Sequence, residues 1–299
     1  MNWETEISEF KNYLKLEKGL SDNSIHAYVT DLYKLVNFLN DKGFKEGPDK
    51  VTLVQLKDLM DWVNSRGISP RTQARIISGI KSFYKFLLIE EKVEKDPTAL
   101  LEAPRVGRKL PEVLSVTEVD TVINAVDTRK PEGQRNKAIL ETLYSCGLRV
   151  SELIDLKISN LFFESGFIKI EGKGSKERLV PISTKAVKEI NLYLSEYRRT
   201  LKIFPSHEDI LFLNRRGKKL SRVMIFTIIK NISKKLNIAK NISPHTFRHS
   251  FATHLIDGGA NLRAVQEMLG HESIITTEIY THLDKEYLKD TLNQFHPRS

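Results

Sequence analysis

Apolar side chains recur at helical spacing through most of the first hundred residues. Ile25, Tyr28, Leu32, Leu35 and Leu39 follow one another by three or four positions, the repeat that lines one helix face. Ser21 stands at the N-cap position, and Leu20 before it and Ile25 after it are placed for a hydrophobic staple. Thr52 with Gln55 forms a capping-box pattern ahead of Leu53, Leu56, Leu59, Met60 and Val63. Ser69-Pro70 sets a cap before a proline at the first helical position, and Ile76, Ile77, Ile80, Phe83, Tyr84 and Leu87 run behind it. The pattern predicts a compact helical domain over residues 1–103.

Ala103-Pro104-Arg105-Val106-Gly107-Arg108 interrupts this periodicity. Its proline, glycine and two arginines suit an exposed linker, 104–109, able to lie along a phosphate backbone. A second domain, 110–299, follows. Ser115-Val116-Thr117-Glu118 is another capping box, with Val119, Val122, Ile123 and Val126 on one face behind it. A helix is expected over 134–146, ended by Gly147. Over 161–182 the period changes to that of strands. Leu161-Phe162-Phe163, a turn at Glu164-Ser165-Gly166, and Phe167-Ile168-Lys169-Ile170 read as a hairpin. Gly172-Lys173-Gly174-Ser175 is a second turn, before Arg178-Leu179-Val180-Pro181-Ile182. The remainder is helical, with starts at Ser221, Ser243-Pro244 and Asn261 and stops at Gly258-Gly259 and Gly270. The expected fold class is therefore mainly α, a helical N-terminal domain joined to an α-rich domain with a small antiparallel sheet.

Charge adds a partner class. The 299 residues carry 47 Lys and Arg against 38 Asp and Glu, a net charge of +9. Residues 1–108 hold 17 basic and 16 acidic side chains, while 109–299 hold 30 and 22, so the excess sits in the second domain. A basic domain of this kind fits a polyanion, bound in a salt-sensitive way. The single cysteine, Cys146, excludes an internal disulfide, suits a reducing compartment and reads as a small core residue. The N-terminus lacks the basic-then-apolar order of a signal peptide, and no apolar run is long enough for a bilayer. A soluble, cytoplasmic protein without membrane contact is expected.

The chemistry rests on Arg149, Lys173, His245, Arg248, His271 and Tyr280. No carboxylate sits inside any of these short motif cores, and there is no serine elbow or cysteine pair. Arginines clamp phosphate oxygens with a fixed fork, and a tyrosine of pKa ~10 needs neighbours before it attacks. Arg149 falls between two helices; a plain surface pairing with Glu152 competes with a catalytic role. His245 and Arg248, three apart, share a face at a helix start, where unpaired N–H groups favour an anion. Zinc on His245 and His249 is disfavoured, because Thr246 stands where the zinc helix needs glutamate. Gly172-Lys173-Gly174 lacks the upstream glycine spacing and following hydroxyl of a nucleotide loop, so ATP is not indicated. His271 and Tyr280, nine apart, would face opposite ways on one helix; a break at Gly270 and a fresh start near Ser273 lets them converge, a reading that competes with a helix C-cap histidine and a core tyrosine.

The segment HTFRHSFATHLIDGGANLRAVQEMLGHESIITTEIYTH, 245–282, resembles the signature of the tyrosine site-specific recombinases. Together with GLRVSEL (147–153) and GKGSKER (172–178) it resembles the bacterial Xer recombinases, and the ending FHPRS is similar to their XerD-type branch. The likeness spans essentially the whole chain. It departs at Phe247, where leucine is common, and at Glu272, where serine is common; neither is a catalytic position. The resemblance implies a SAM-like core-binding N-terminal domain and a tyrosine recombinase catalytic domain. Tyr280 would form a 3′-phosphotyrosyl link, with Arg149 and Arg248 on the non-bridging oxygens. Lys173 would protonate the leaving 5′ oxygen, His245 would serve as acid and base at the tyrosine, and His271 would orient the phosphate. It implies no cofactor and no metal. The implied partners are a double-stranded DNA recombination site, a XerC-type recombinase in a tetrameric synapse, and a DNA translocase at the division septum. Residues 285–295 would reach into a neighbouring protomer, a reading that competes with a tail completing its own core. The implied task is resolution of chromosome and plasmid dimers. Alternatives are an integrase of a mobile element, a type IB topoisomerase acting as a monomer on any duplex, and a DNA-binding regulator on an inactive scaffold.

Overall fold

The computed structural model describes residues 1–104, 107, 112–172, 177–270 and 285–298. The chain divides into two compact units, Met1–Lys109 and Leu110–Ser299. The first contains α1 (Trp3–Leu16), α2 (Asp22–Asp41), α3 (Leu53–Ser65) and α4 (Pro70–Ile89). Their caps follow the sequence pattern. Ser21 and Ser69 accept from the backbone N–H three residues on, and Thr52 and Gln55 close a full capping box. Each such cap stabilises its helix by about 1 kcal/mol. The apolar faces meet in one core, where Phe10, Leu32, Leu35, Leu56, Leu59, Ile76, Ile80, Phe83 and Tyr84 are buried. Asp31, fully buried on α2, bonds Lys34 at 2.8 Å and Arg75 of α4 at 3.2 Å, which offsets its desolvation.

The second unit is built around α6 (Gly133–Cys146), which is buried along most of its length. A helix apolar or satisfied all round must be packed on every side. Here α5 (Val116–Asn124), α8 (Thr184–Leu192) and α10 (Pro244–Asp257) pack against it. Cys146 lies fully buried in this core, its thiol pushed up to about 12 by burial, so it is inert as a nucleophile. Gly147 ends α6 in the left-handed region, φ 57°. A Cβ there would stand 2.4 Å from the Phe251 ring, so both the turn and the packing of α10 require glycine.

After α7 (Val150–Asp155) comes a sheet of order β1-β2-β3, all antiparallel, with strands Leu161–Phe162, Phe167–Glu171 and Glu177–Pro181. The register pairs Ile168 with Val180 and Ile170 with Arg178. Its inner face joins the core through Ile168, Ile170 and Val180. Then follow α9 (Arg222–Lys235), α10, α11 (Leu262–Leu269) and α12 (Lys285–Phe295). Ser221, Ser243 and Asn261 cap α9, α10 and α11 as expected. The expected linker residues 105, 106, 108 and 109, most of the second turn, and the helix start near Ser273 lie outside the described residues. Among the described residues no helix is long and apolar enough to cross a membrane.

The tail packs on its own domain. Leu288 and Leu292 of α12 are buried in the core of the second unit, while Tyr287 remains 43% exposed. Beyond α12, His296 is buried against Tyr144 and Phe251, and Arg298 pairs with Asp120 at 2.8 Å and Glu141 at 3.4 Å. Burial pushes His296 down to about 3, so the folded tail holds a neutral imidazole. An unfolded histidine titrates near ~6.5, so below that pH the unfolded state binds more protons than the native state. Stability should therefore fall on acidification from pH 6.5 towards 3, at up to about 1.4 kcal/mol per pH unit. Thermal melts across pH 5–7 should show a steeper acid loss for wild type than for His296→Gln. Parallel slopes would remove His296 from this role.

Candidate active site

Arg149 occupies the short connection between α6 and α7, fixed by the left-handed turn at Gly147. Three residues on, Glu152 turns back to it. The Arg149 backbone N–H donates to Glu152 Oε2 at 2.8 Å, and Arg149 Nη1 donates to Oε1 at 2.9 Å. The pairing with Glu152, set against a catalytic role in the sequence, thus coexists with a placement beside the second arginine. Arg248 reaches the same place from α10, donating from Nη1 to Gly147 O at 2.7 Å and from Nη2 to Leu269 O at 2.6 Å. Its Nη1 lies 4.0 Å from Glu152 Oε2.

His245 falls in the first turn of α10, behind the cap at Ser243 and Pro244. Its ring opens to solvent, yet partial loss of water, then the positive neighbours His249, Arg248 and Arg149, lower its pKa below the usual imidazole value. The histidine is therefore a neutral acceptor near pH 7. Burial, then Arg149, pushes Arg248 down to about 10, and it remains a cation. Arg149, His245 and Arg248 are brought together. Lys173, His271 and Tyr280 lie outside the described residues. His254, from the histidine-rich helix, bonds the Tyr144 hydroxyl through Nδ1 at 2.7 Å. Among the described residues, no group of three His, Cys, Asp or Glu side chains is placed to hold a metal ion.

Two further described residues join the centre. Glu152, its side chain 4% exposed, stands amid Arg149, Arg178 and Arg248. The arginine-rich site thus has a carboxylate at its heart, supplied by the same GLRVSEL segment that supplies Arg149. Burial alone would raise the Glu152 pKa; hydrogen bonds and charge from Arg178, then from Arg149, outweigh it and hold the carboxyl below its usual value. Arg178, in β3, forks both oxygens of Glu152 at 2.9 and 3.0 Å. The capping spacing Arg149-x-x-Glu152 was the available signal for Glu152. Arg178 closes the GKGSKER motif, but nothing local pairs it with Glu152 or Met268, which lie 26 and 90 residues away. With three guanidiniums and one carboxylate, the centre is net positive and suited to an anion.

Residues 112–287 match the model described as "Phage integrase family", and residues 7–91 match "Phage integrase, N-terminal SAM-like domain". The chain is 42% identical to tyrosine recombinase XerD of Listeria innocua, over 98% of this chain and 99% of that protein. The chain belongs to the phage integrase family, among the XerD-type tyrosine recombinases. Identity is also 42% to the XerD enzyme of Staphylococcus aureus strain Mu50, over 99% of this chain and all of that protein. Among solved structures, the XerH recombinase in a post-cleavage complex with palindromic difH superposes with a TM-score of 0.67 at 25% identity, over 95% and 83% of the two chains. As a member of this family the protein is a site-specific recombinase that cuts and rejoins DNA. The mainly helical fold with its SAM-like domain and small antiparallel sheet is the family's own.

Proposed function

We propose that this recombinase resolves chromosome and plasmid dimers to monomers before cell division, by exchanging strands between two copies of a recombination site. The observation that carries the reading is the convergence of Arg149, His245 and Arg248 at the end of α11, directly before the segment with His271 and Tyr280. The full-length likeness to XerD enzymes favours it over a mobile-element integrase.

In this reading the Tyr280 oxygen attacks phosphorus while the bond to the 5′ oxygen breaks, leaving a 3′-phosphotyrosyl link and a 5′-hydroxyl. His245, neutral at working pH, takes the tyrosine proton. Lys173 gives a proton to the departing 5′ oxygen. Arg149 and Arg248 hold the non-bridging oxygens, where charge develops, and His271 orients the phosphate. The covalent link conserves the phosphodiester energy, so a 5′-hydroxyl from the other duplex reseals the strand without ATP.

The four-helix unit and the basic second unit each engage the duplex DNA of the recombination site, with residues 104–109 as the linker between them in the chain. A XerC-type partner completes the tetramer, with a DNA translocase at the septum as a further contact, in the cytoplasm. The tail that packs in cis in the monomer exchanges onto a neighbour in the synapse. A plasmid with two copies of the host's replication-terminus site, incubated with this protein and the host's second Xer recombinase, tests the proposal. Deletion of the intervening DNA should need both proteins. Recombination by this chain alone at full efficiency, or none with both, would overturn it.

A further inference from the structure

Three successive carbonyl oxygens end α11, and each accepts from a different arginine. Arg178 Nε donates to Met268 O at 3.0 Å, Arg248 Nη2 to Leu269 O at 2.6 Å, and Arg149 Nη2 to Gly270 O at 3.0 Å. Unpaired carbonyls at a helix end carry partial negative charge, so cations belong there. Two of the three arginines already have a part in the proposed chemistry, and Arg178 has none. Its side chain is only 15% exposed, and each guanidinium nitrogen is engaged by protein: Nε by Met268, Nη1 and Nη2 by the two oxygens of Glu152. Gly270, at φ 65°, lies close over the same guanidinium; a Cβ there would be 3.0 Å from Cζ.

We infer that Arg178 is a positioning residue for DNA cleavage: it locks Glu152 to the end of α11, and thereby sets the guanidinium of Arg149 and the point from which the His271–Tyr280 segment leaves the helix. The inference rests on the assignment of Arg149 and Arg248 to the scissile phosphate. The backbone of Arg178 is itself held by pairing with Ile170 across the sheet. One side chain therefore links the strand after Lys173, the helix start at Arg149, and the helix end before His271. The task needs arginine. A planar fork meets two carboxylate oxygens and a carbonyl at fixed angles, whereas an ammonium is a point charge.

The test uses the full-length chain and a nicked suicide duplex from the replication-terminus DNA that it binds. Arg178→Lys, Arg178→Met, Glu152→Gln and the Arg178→Met/Glu152→Gln pair are compared with wild type for duplex Kd and for the rate of covalent adduct formation. Arg178→Met should bind as wild type yet form adduct on the order of 10²-fold more slowly, the cost of misplacing a reacting group by about 1 Å. Arg178→Lys should recover part of the rate. The double variant should lose less than the product of the two single losses, because both break one connection. A wild-type adduct rate in Arg178→Met overturns the inference. So do multiplicative losses in the double variant, or a loss of binding in step with cleavage that lysine leaves unrepaired. Arg149→Ala, run alongside, separates the two claims: if it cleaves at the wild-type rate, the phosphate assignment itself falls.

Discussion

Tyr280→Phe is expected to yield no covalent protein–DNA adduct on a nicked suicide duplex, while binding that duplex as wild type does. The substitution keeps the ring and removes only the attacking oxygen. The other tyrosines of the second unit are poorly placed to replace it. Tyr144 is buried with its hydroxyl on His254, and burial raises its pKa. Tyr193 is buried, its hydroxyl accepts from the Leu213 N–H, and burial raises its pKa as well. Tyr197 is shifted upward by burial. Tyr287 is exposed and only seven residues beyond Tyr280, so Tyr287→Phe is the informative control and should cleave normally. Denaturing gels of trapped complexes read both results. An adduct that persists in Tyr280→Phe and vanishes in Tyr287→Phe would transfer the nucleophile to α12.

Arg149→Ala should lower the cleavage rate on the order of 10²–10³-fold with little change in duplex affinity, the usual cost of removing one donor from a developing oxyanion. Its side chain is 39% exposed, so the fold should tolerate the change. Arg248→Ala should show the same loss of rate together with a lower melting temperature. Its side chain is 10% exposed and its guanidinium satisfies Gly147 O and Leu269 O, and each buried carbonyl left without a donor costs about 1–3 kcal/mol. Single-turnover cleavage measured beside thermal melts distinguishes the two variants. If affinity falls as steeply as rate in Arg149→Ala, the residue serves binding rather than the transition state.

Local order was readable along the chain because local rules govern it. The caps at Ser21, Thr52, Ser69, Ser115, Ser221, Ser243 and Asn261 are side-chain hydroxyls or amides acting within three residues. Gly147 and Gly270 end helices where only a residue at ease in the left-handed region fits. The hairpin over 161–170 showed in its change of period. Arg149, His245 and Arg248 were recognisable from short motifs, and the fold sets their charges near one another.

Long-range polar pairing was beyond such rules. Glu152 was legible as a partner of Arg149, yet nothing local shows that it also takes the fork of Arg178, from a strand 26 residues on. Nor does any spacing say that three arginines, from a helix start, a strand and a helix, meet three successive carbonyls, Met268 to Gly270, at the end of α11. The tail illustrates the same division. Its apolar face, with Leu288 and Leu292, was plain in the sequence, but an amphipathic helix is equally content on its own core or on a neighbour's. Only tertiary packing placed it in cis, with His296 and Arg298 buried behind it. By itself the sequence determined the family, the helices with their caps, and the chemical types at the site. The tertiary structure decided which charges compensate one another, because the cost of burying a guanidinium or a carboxylate depends on neighbours that are distant along the chain and adjacent only once it has folded.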